Sequence, residues 1–557
     1  MNTPRPFPFA PTRRSFVGLS AAAFATVAVA ACGSDTGEEV DVESQNVGAM
    51  DDYAADTQFK ATEPIQVSML WTDWPEVPVE DSWRLFEHIK ELTNVEITLT
   101  HIPFSDATEK RSLLISAGDA PTLIPLVYTG EDAPFVSSGA VVPLSDYVDK
   151  MPNFQKYVEE WDLADMINNL KQEDGKYYMV PGLQEVSVPV FSLVIRKDVF
   201  EEVTGAVPNT WDELHEGLKL IKEKYPDSTP LADGFEGGAL FNFASHAWLT
   251  KGGWGFGDGS IEGPDGKLTY VAITDEYKTM IELFRTLVEE GLLDKESLTA
   301  SNDGSGAASV AEKFAAETCF AASGSSGTAI EFGQALNETV GEGNYSVTLI
   351  PPPAGPAGDN IEPRNFWHGF MLNSQITKSE NFLATLQFLD WLYYNPDARE
   401  MLRWGEKDVN YTKAEDGAIE LMDGFSLDSF NINTGAGTDI NVDLGFSTFP
   451  AESTESRELK ESYSTPEFVE YIDNVLSART PRDPYPPKPM DETELEQASL
   501  LATPIKDSVD TATLQFIMGE RDMGEWDAFV GELEAAGLSR YLELLNTARD
   551  RFVEANG

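Results

Sequence analysis

The sequence predicts an α/β protein built on largely parallel sheets. The order of elements over residues 65–128 is strand, helix, strand, strand, as βαβ units require. Later segments carry helical periodicity with start and stop signals. The chain has 557 residues, of which 41% are hydrophobic and 24% charged, enough apolar material for more than one core. At roughly 150 residues per domain, this length predicts three or four domains, though large α/β lobes exceed that size.

Each element has its own signal. Ile65-Gln66-Val67-Ser68-Met69-Leu70-Trp71 alternates and then runs apolar, as a first strand does. From Ser82 to Thr93, Trp83, Phe86, Ile89 and Leu92 recur at helical spacing. Val95–Thr100 and Leu123–Tyr128 read as the next two strands, the latter after Gly118-Asp119-Ala120-Pro121. Thr210-Trp211-Asp212-Glu213 predicts a helix start with Thr210 as N-cap and Glu213 at N3, a capping box. Helices are predicted over Asp275–Gly291 and over Ser379–Tyr394, the second broken by Asn395-Pro396. Gly- and Pro-containing loops at 252–259, 351–358 and 482–489 separate these elements, and 492–553 reads as mostly helical.

Charge excludes some partners. With 39 Lys and Arg against 94 Asp and Glu, the net charge is −55. A duplex binder needs a basic face, so nucleic acid is not an expected partner. Anionic lipid headgroups are repelled as well. The excess acid reads as solubility in an exposed compartment, and scarce basic residues tilt the expected ligand toward neutral molecules. The two cysteines, Cys32 and Cys319, sit in unlike surroundings and are not expected to pair. No two of the five histidines lie three to five residues apart, so no helical His pair for a metal is present.

The N-terminus reads as an address and an anchor. Arg13-Arg14 precedes an apolar run from Val17 to Ala31, too short to span a ~30 Å hydrocarbon layer. Val29-Ala30-Ala31-Cys32 resembles a lipobox, in which the cysteine is acylated and becomes the mature N-terminus. Residues 1–31 are therefore expected to be a Tat-type lipoprotein signal peptide. Cleavage before Cys32 removes three arginines and takes the net charge to −58. Residues 32–62, polar and poor in apolar side chains, are expected to form a flexible tether. The expected location is the outer face of the cytoplasmic membrane, held by lipid.

Catalytic signatures are weak. Gly324-Ser325-Ser326-Gly327-Thr328 lacks the closing glycine of a nucleophile elbow, and neither a P-loop nor His-Glu-x-x-His occurs. With 94 acids, no glycosidase pair stands out. Asp439-x-Asn441-x-Asp443 has calcium-loop spacing, but Gly445 falls at the seventh position and Pro450 at the twelfth, so a polar turn is expected instead. No enzyme activity, cofactor or metal is expected.

Several stretches together resemble family 1 extracellular solute-binding lipoproteins of bacterial ABC importers, closest to oligosaccharide binders of the alginate and aldouronate types. They are Ala117-Gly118-Asp119-Ala120-Pro121, Asp174-Gly175-Lys176-Tyr177-Tyr178-Met179-Val180-Pro181, and Arg196-Lys197-Asp198 with Pro208-Asn209-Thr210-Trp211-Asp212-Glu213-Leu214. Thr274-Asp275-Glu276-Tyr277-Lys278, Phe388-Leu389-Asp390-Trp391-Leu392-Tyr393, Trp404-Gly405 and Trp526-Asp527-Ala528-Phe529 extend the likeness over about residues 63–553. The resemblance implies a two-lobed periplasmic-binding-protein-like fold with hinge crossovers near 181–185, 365–368 and 410–424. The N-lobe is then 63–182 plus 366–415, and the C-lobe 183–365 plus 416–557. It implies capture of a carbohydrate, an oligosaccharide in particular, for delivery to ABC permease subunits, by a monomer. The alternatives are a secreted glycan-active enzyme or a receptor for peptides or other small solutes. One departure is clear: relatives carry a calcium loop where this chain has Tyr225-Pro226-Asp227-Ser228-Thr229-Pro230-Leu231, without the acidic ligands and glycines.

Sugars present apolar C–H faces and many hydroxyls, which aromatic rings and polar side chains respectively recognise. Loops after strands and segments near the crossovers are where such residues are sought. Trp71 and Trp74 follow the first strand, and Tyr128 the third. Trp254 sits among glycines, Glu185 lies at the first crossover, and Trp367 and His368 lie at the second. These seven are the expected ligand-binding residues. Trp83, Trp211, Trp391 and Trp526 fall in helical patterns and are expected in the core.

Overall fold

A computed structural model describes residues 41–556, apart from 76, 264, 300–304, 363–365, 449 and 451–452, and leaves the side chains of 305–309, 367 and 556 undescribed. The signal-peptide expectation, Cys32 included, lies outside the described residues. Two sheets organise the body. In chain order their strands are β1 (Ile65–Asp73), β2 (Val95–Pro103), β3 (Leu123–Val127), β4 (Val180–Leu183), β5 (Ser192–Arg196), β6 (Leu231–Ala232), β7 (Ala321–Gly324), β8 (Val347–Ile350) and β9 (Phe366–Leu372).

The first sheet has the order β2-β1-β3-β9-β4. β1 and β2 pair in parallel from Ile65↔Val95 to Asp73↔Pro103, and β1 also runs parallel to β3. β9 returns antiparallel between β3 and β4. All five residues of β3 are buried, as a parallel strand covered on both faces requires. The helix Arg84–Thr93 ends where Asn94 adopts φ 59°, the left-handed C-cap that redirects the chain into β2. The second sheet has the order β8-β5-β7-β6, with β5 antiparallel to both neighbours and β6 parallel to β7. Each sheet carries its own apolar cluster, so the body is two-lobed.

The predicted capping box is present. Thr210 Oγ1 accepts from Glu213 N at 3.1 Å, while Glu213 Oε2 accepts from Thr210 N at 3.2 Å. The helix that follows, Trp211–Lys224, buries Leu214, Leu218 and Ile221 against the second lobe. The C-terminal region forms helices Glu492–Met518, Trp526–Ala535 and Leu538–Asn556. They join the same core, where Tyr277 and Thr513 share a 2.8 Å hydroxyl hydrogen bond. Trp83, Trp211, Trp391 and Trp526 are all buried, and so is Trp404.

The helix expected from Ser379 begins at Phe382, and every residue to Tyr394 is buried. At the predicted break, Asn395 accepts from Asp397 N and Ala398 N and so caps a new helix, Pro396–Trp404. Gln387 and Asp390, two of the polar side chains on this buried helix, explain a correction. Residues 42–62 were expected to be part of a flexible tether but are docked on the first lobe. Gln387 bonds both Met50 N and Met50 O, and the Asp390 carboxylate accepts from Tyr53 OH. Phe59 is fully buried beside Phe388. A buried helix face that needs polar partners and apolar cover obtains both from this segment.

Three segments run together where the chain passes between the lobes. β4 leads into residues 183–185, β9 starts beside it at Phe366↔Leu183, and residues 453–457 lie alongside. Glu455 N donates to Leu183 O at 2.9 Å and Glu185 N to Glu455 O at 3.1 Å. A Cβ on Gly182 would lie 2.7 Å from the Ser453 backbone, so only glycine permits this approach. Residues 442–447 still belong with the first lobe: Val442 O accepts from Trp83 Nε1, and Leu444 O from Leu85 N. The last passage between lobes is therefore at 453–457, beyond the expected 410–424. Glu455 is only 5% exposed. It pairs with Arg403 of the first lobe at 3.2 Å and with Lys460 at 3.3 Å, and accepts from Tyr463 OH. Lys460 also donates to Gln184 Oε1 at 3.1 Å. Burial alone would raise the Glu455 pKa, but Lys460 and Arg403 hold it below the ordinary range.

Removing the Glu455 charge takes from two buried cations the carboxylate that they share. Glu455→Gln should cost about 3–5 kcal/mol and lower the melting temperature in calorimetry; an unchanged Tm would refute this assignment. Asp390 predicts a pH effect. Burial, partly offset by Phe154 N–H, Asn153 and Tyr53, raises its pKa from 3.8 to about 6. The folded state thus holds the proton more tightly, and this contribution is full below pH ~4 and lost as pH rises through about 6. Two units correspond to roughly 3 kcal/mol. The stability gap between Asp390→Asn and the parent should shift by about that much in favour of the variant from pH 4 to pH 7, read from paired thermal melts; a constant gap would contradict it.

Candidate functional site

A cleft of about 910 Å³ opens between the lobes. Residues 128–133 and 169–172 line one side; Lys251, Trp254, Asp258 and 484–490 line the other, with Glu362 and Phe366 near the crossover.

The first wall is set by the end of β3. Leu126 has φ 58°, rare for a non-glycine residue, and the β3–β9 register slips between Gly369↔Val127 and Met371↔Ile124. The strand is thereby turned out of the sheet, leaving Tyr128 at 48% exposure in the cleft. Arg111 donates to Leu126 O and to Glu131, and Glu131 Oε2 accepts from Tyr128 N at 2.9 Å, so the turn is braced from inside. Asp132 is buried and accepts from Gln172 Nε2 at 3.0 Å. Burial pushes its pKa up to about 6 against those hydrogen bonds.

The second wall is set by glycines and one buried carboxylate. Asp233 accepts from Phe235 N, Gly237 N and Leu240 N, and from Ser323 OH. This holds the loop that presents Phe235. Trp254 stands edge-on to Phe235 at 5.2 Å and to Phe191 at 5.0 Å, and is 48% exposed. A Cβ on Gly238 would lie 2.5 Å from Trp254 Nε1, so the indole seats there only because residue 238 is glycine. Beyond it, Asp258 accepts from Ser260 N and Ser260 Oγ and pairs with Lys251 at 3.3 Å and Lys488 at 2.9 Å. Burial would raise the Asp258 pKa, but the two ammonium groups hold it well below the carboxylate range. Lys251 lies 4.7 Å from the Tyr485 ring centroid, and burial lowers its pKa against the pull of Asp258.

Of the seven expected residues, the structure brings Tyr128 and Trp254 to the cleft, on facing walls. Trp71 is 2% exposed, packed edge-on against Trp83 and Phe86, because its strand is covered by the Arg84–Thr93 helix. Trp74 is half-buried and stacks on Phe104 with centroids 3.8 Å apart. Glu185 is exposed at the crossover, accepting from Arg457 N. His368 is buried, its ring 6.2 Å from that of Tyr128 and its carbonyl accepting from Tyr393 OH, so it supports the cleft from behind. The Trp367 side chain is not among those described. Sequence reasoning missed Lys251, Asp258, Tyr485 and Lys488. The available signal was the proline-rich run from Pro481 to Pro489, read only as a separating loop.

The segments 439–443 and 225–231 are held by local hydrogen bonds. Asp439 Oδ1 accepts from Asn441 N and Val442 N, and Asp443 Oδ2 accepts from Asp439 N, so these carboxylates close a polar turn on itself. At 225–231 the Lys222 ammonium donates to Ser228 O, and Ser228 N bonds Tyr225 O at 3.0 Å.

Among the described residues, no helix is long and apolar enough to cross a membrane. The chain is similar to the fructooligosaccharide ABC transporter substrate-binding protein FusA of Streptococcus pneumoniae serotype 4 (strain ATCC BAA-334 / TIGR4), at 25% identity over 560 aligned residues covering 94% of this chain and 96% of that protein. It is similar to lipoprotein LipO of Bacillus subtilis (strain 168) at 24% identity, covering 63% of this chain and 66% of LipO. Among solved structures, the alginate-binding protein AlgQ2 without calcium ion superposes with a TM-score of 0.68 at 18% identity, over 88% of this chain and 99% of AlgQ2. FusA of S. pneumoniae in complex with kestose superposes with a TM-score of 0.62 at 22% identity, over 88% of this chain and all of FusA. The model of the bacterial extracellular solute-binding protein family matches residues 79–398. A match across more than half of the chain, together with two α/β lobes facing a cleft, places this protein in the bacterial extracellular solute-binding protein family.

Proposed function

We propose that the protein captures a carbohydrate, an oligosaccharide in particular, in the interlobe cleft and delivers it to the permease of an ABC importer. The observation that carries this reading is the pair of half-exposed rings, Tyr128 and Trp254, presented from facing lobes into a cleft of about 910 Å³. Aromatic faces suit the apolar C–H faces of sugar rings, and the surrounding amides, carboxylates and ammoniums suit hydroxyls. The volume exceeds the need of one monosaccharide and lies near the top of the usual range for small-molecule sites. Similarity to FusA, described as a fructooligosaccharide-binding protein, and to alginate-binding AlgQ2 supports the same class. Glu131 and Asp132 are engaged by Arg111 and Gln172 respectively, an arrangement suited to holding the wall rather than to cutting a glycosidic bond.

Capture is by hinge closure about the three segments gathered at 181–185, 366–368 and 453–457. The N-terminal Cys32 is acylated and holds the body outside the cytoplasmic membrane after Tat export, a reading supported by the lipobox-like Val29–Cys32 and by similarity to LipO.

Thermal melts against mono- and oligosaccharides, with peptides and amino acids as controls, test the reading. A ligand at 100 times its Kd should stabilise by about 2.7 kcal/mol. One glycan class should shift the Tm and be recovered unaltered; a shift by peptides alone, or turnover of the glycan, would overturn the proposal. Tyr128→Ala and Trp254→Ala should each weaken glycan binding roughly tenfold, about 1.4 kcal/mol, with little change in the Tm of the free protein. Cys32→Ser should release the protein from membranes into the medium, checked by fractionation; continued membrane retention would refute the anchor.

A further inference from the structure

The second wall of the cleft carries more positive charge than its one carboxylate balances. Lys251 and Lys488 share Asp258 at 3.3 and 2.9 Å, and their side chains are only 12% and 13% exposed. Arg482 lies 4.9 Å from the Tyr485 ring centroid and donates to Thr250 O at 3.2 Å. Among the described residues no carboxylate pairs with it. Two cations therefore share one carboxylate on the cleft wall, and Arg482, outside the lining, adds a third positive charge beside Tyr485. Tyr485 OH, on a residue that lines this wall, is buried with no hydrogen-bond partner among the described residues. Buried polar groups left unmade are costly and signal an absent partner.

On the rest of the cleft, Glu362 lies near the crossover and Lys171 adds a cation to the first wall. Glu131 is held by Arg111 and the Tyr128 amide, and Asp132 by Gln172. The net charge of −55 repels anions at long range. At physiological salt, however, that repulsion is screened beyond about 8 Å, whereas contact with a partly buried ammonium is not. Local charge therefore outweighs the acidic composition that tilts the expectation toward neutral ligands.

We propose that the cleft takes a glycan bearing a carboxylate, whose oxygens meet Lys251 and Lys488 and the Tyr485 hydroxyl while Tyr128 and Trp254 stack on its rings. This rests on the carbohydrate reading above and names its charge class. Two ammonium groups already bracket the two oxygens of one carboxylate, that of Asp258, and a ligand carboxylate of the same shape shares the surplus charge.

The test is titration calorimetry on the purified protein with uronic-acid oligosaccharides, the same oligosaccharides with each carboxyl reduced to an alcohol, size-matched neutral fructo- and gluco-oligosaccharides, and sulfated analogues. The acidic oligosaccharide should bind at least tenfold tighter than its reduced form and weaken as salt rises. Lys488→Gln and Lys251→Gln, each leaving one lysine on Asp258, should lower acidic affinity roughly tenfold, about 1.4 kcal/mol, and flatten the salt dependence. Binding of the reduced form should fall by a smaller factor than that of the acidic form, so that the ratio of the two affinities drops in either variant. Melts of the free variants check that both fold. Equal or tighter binding of reduced or neutral glycans overturns the inference and leaves the carbohydrate reading standing. A preference for sulfated over carboxylated glycans overturns the carboxylate assignment. Binding of no glycan by folded protein overturns both.

Discussion

The structure turns on a buried carboxylate where the chain changes lobes. Glu455 lies on the last of three crossing segments and is bound by Arg403 from the first lobe, by Lys460 and by Tyr463 beyond it. Its backbone is paired with the first crossing segment through Leu183 and Glu185. A buried ion pair adds little net stability over an apolar replacement, because desolvation offsets attraction. What it supplies is registration: an unpaired charge there is so costly that 183–185 and 453–455 are held in one alignment. Gly182 allows that alignment by bringing two backbones into contact. The cleft walls are attached to these segments, so their relation depends on it.

Each wall repeats the same device on a smaller scale. A polar side chain is buried inside a loop, saturated with backbone donors or a partner charge, and an aromatic ring is left outside. Arg111 and Glu131 brace the turn that exposes Tyr128. Asp233 holds the loop that backs Trp254. Asp258 joins the glycine-rich loop to the proline-rich loop through Lys251 and Lys488. The rings are thus carried by rigid elements, which limits the entropy lost when a ligand orders them.

Legibility followed the range of the interaction. The β1 strand, the capping box at Thr210 and the break at Asn395-Pro396 are decided within a few residues, and the sequence shows each of them. Aromatic residues in loops were candidates for the site on local grounds alone. Tyr128 and Trp254 reach the cleft, whereas Trp71, with equally promising neighbours, is covered by the helix that follows it. Lysines and prolines of 482–489 look like any solvated loop until the fold sets them against 251–258. Residues 42–62 read as a leash because their few apolar side chains are scattered; the buried helix Phe382–Tyr394 supplies partners more than 300 positions away.

By itself the sequence determined the α/β class, the order of the first strands, the capped start at Thr210, the break at Asn395-Pro396 and the likeness to a two-lobed binding family. These rest on periodicity, capping and motif order, which act along the chain. The tertiary structure alone decided which rings face the cleft, how two lysines come to share one carboxylate, and where the chain last changes lobes. Those outcomes depend on distances between residues far apart in sequence, and it is burial, through the cost of leaving a charge or an amide unpaired in the interior, that selects among them.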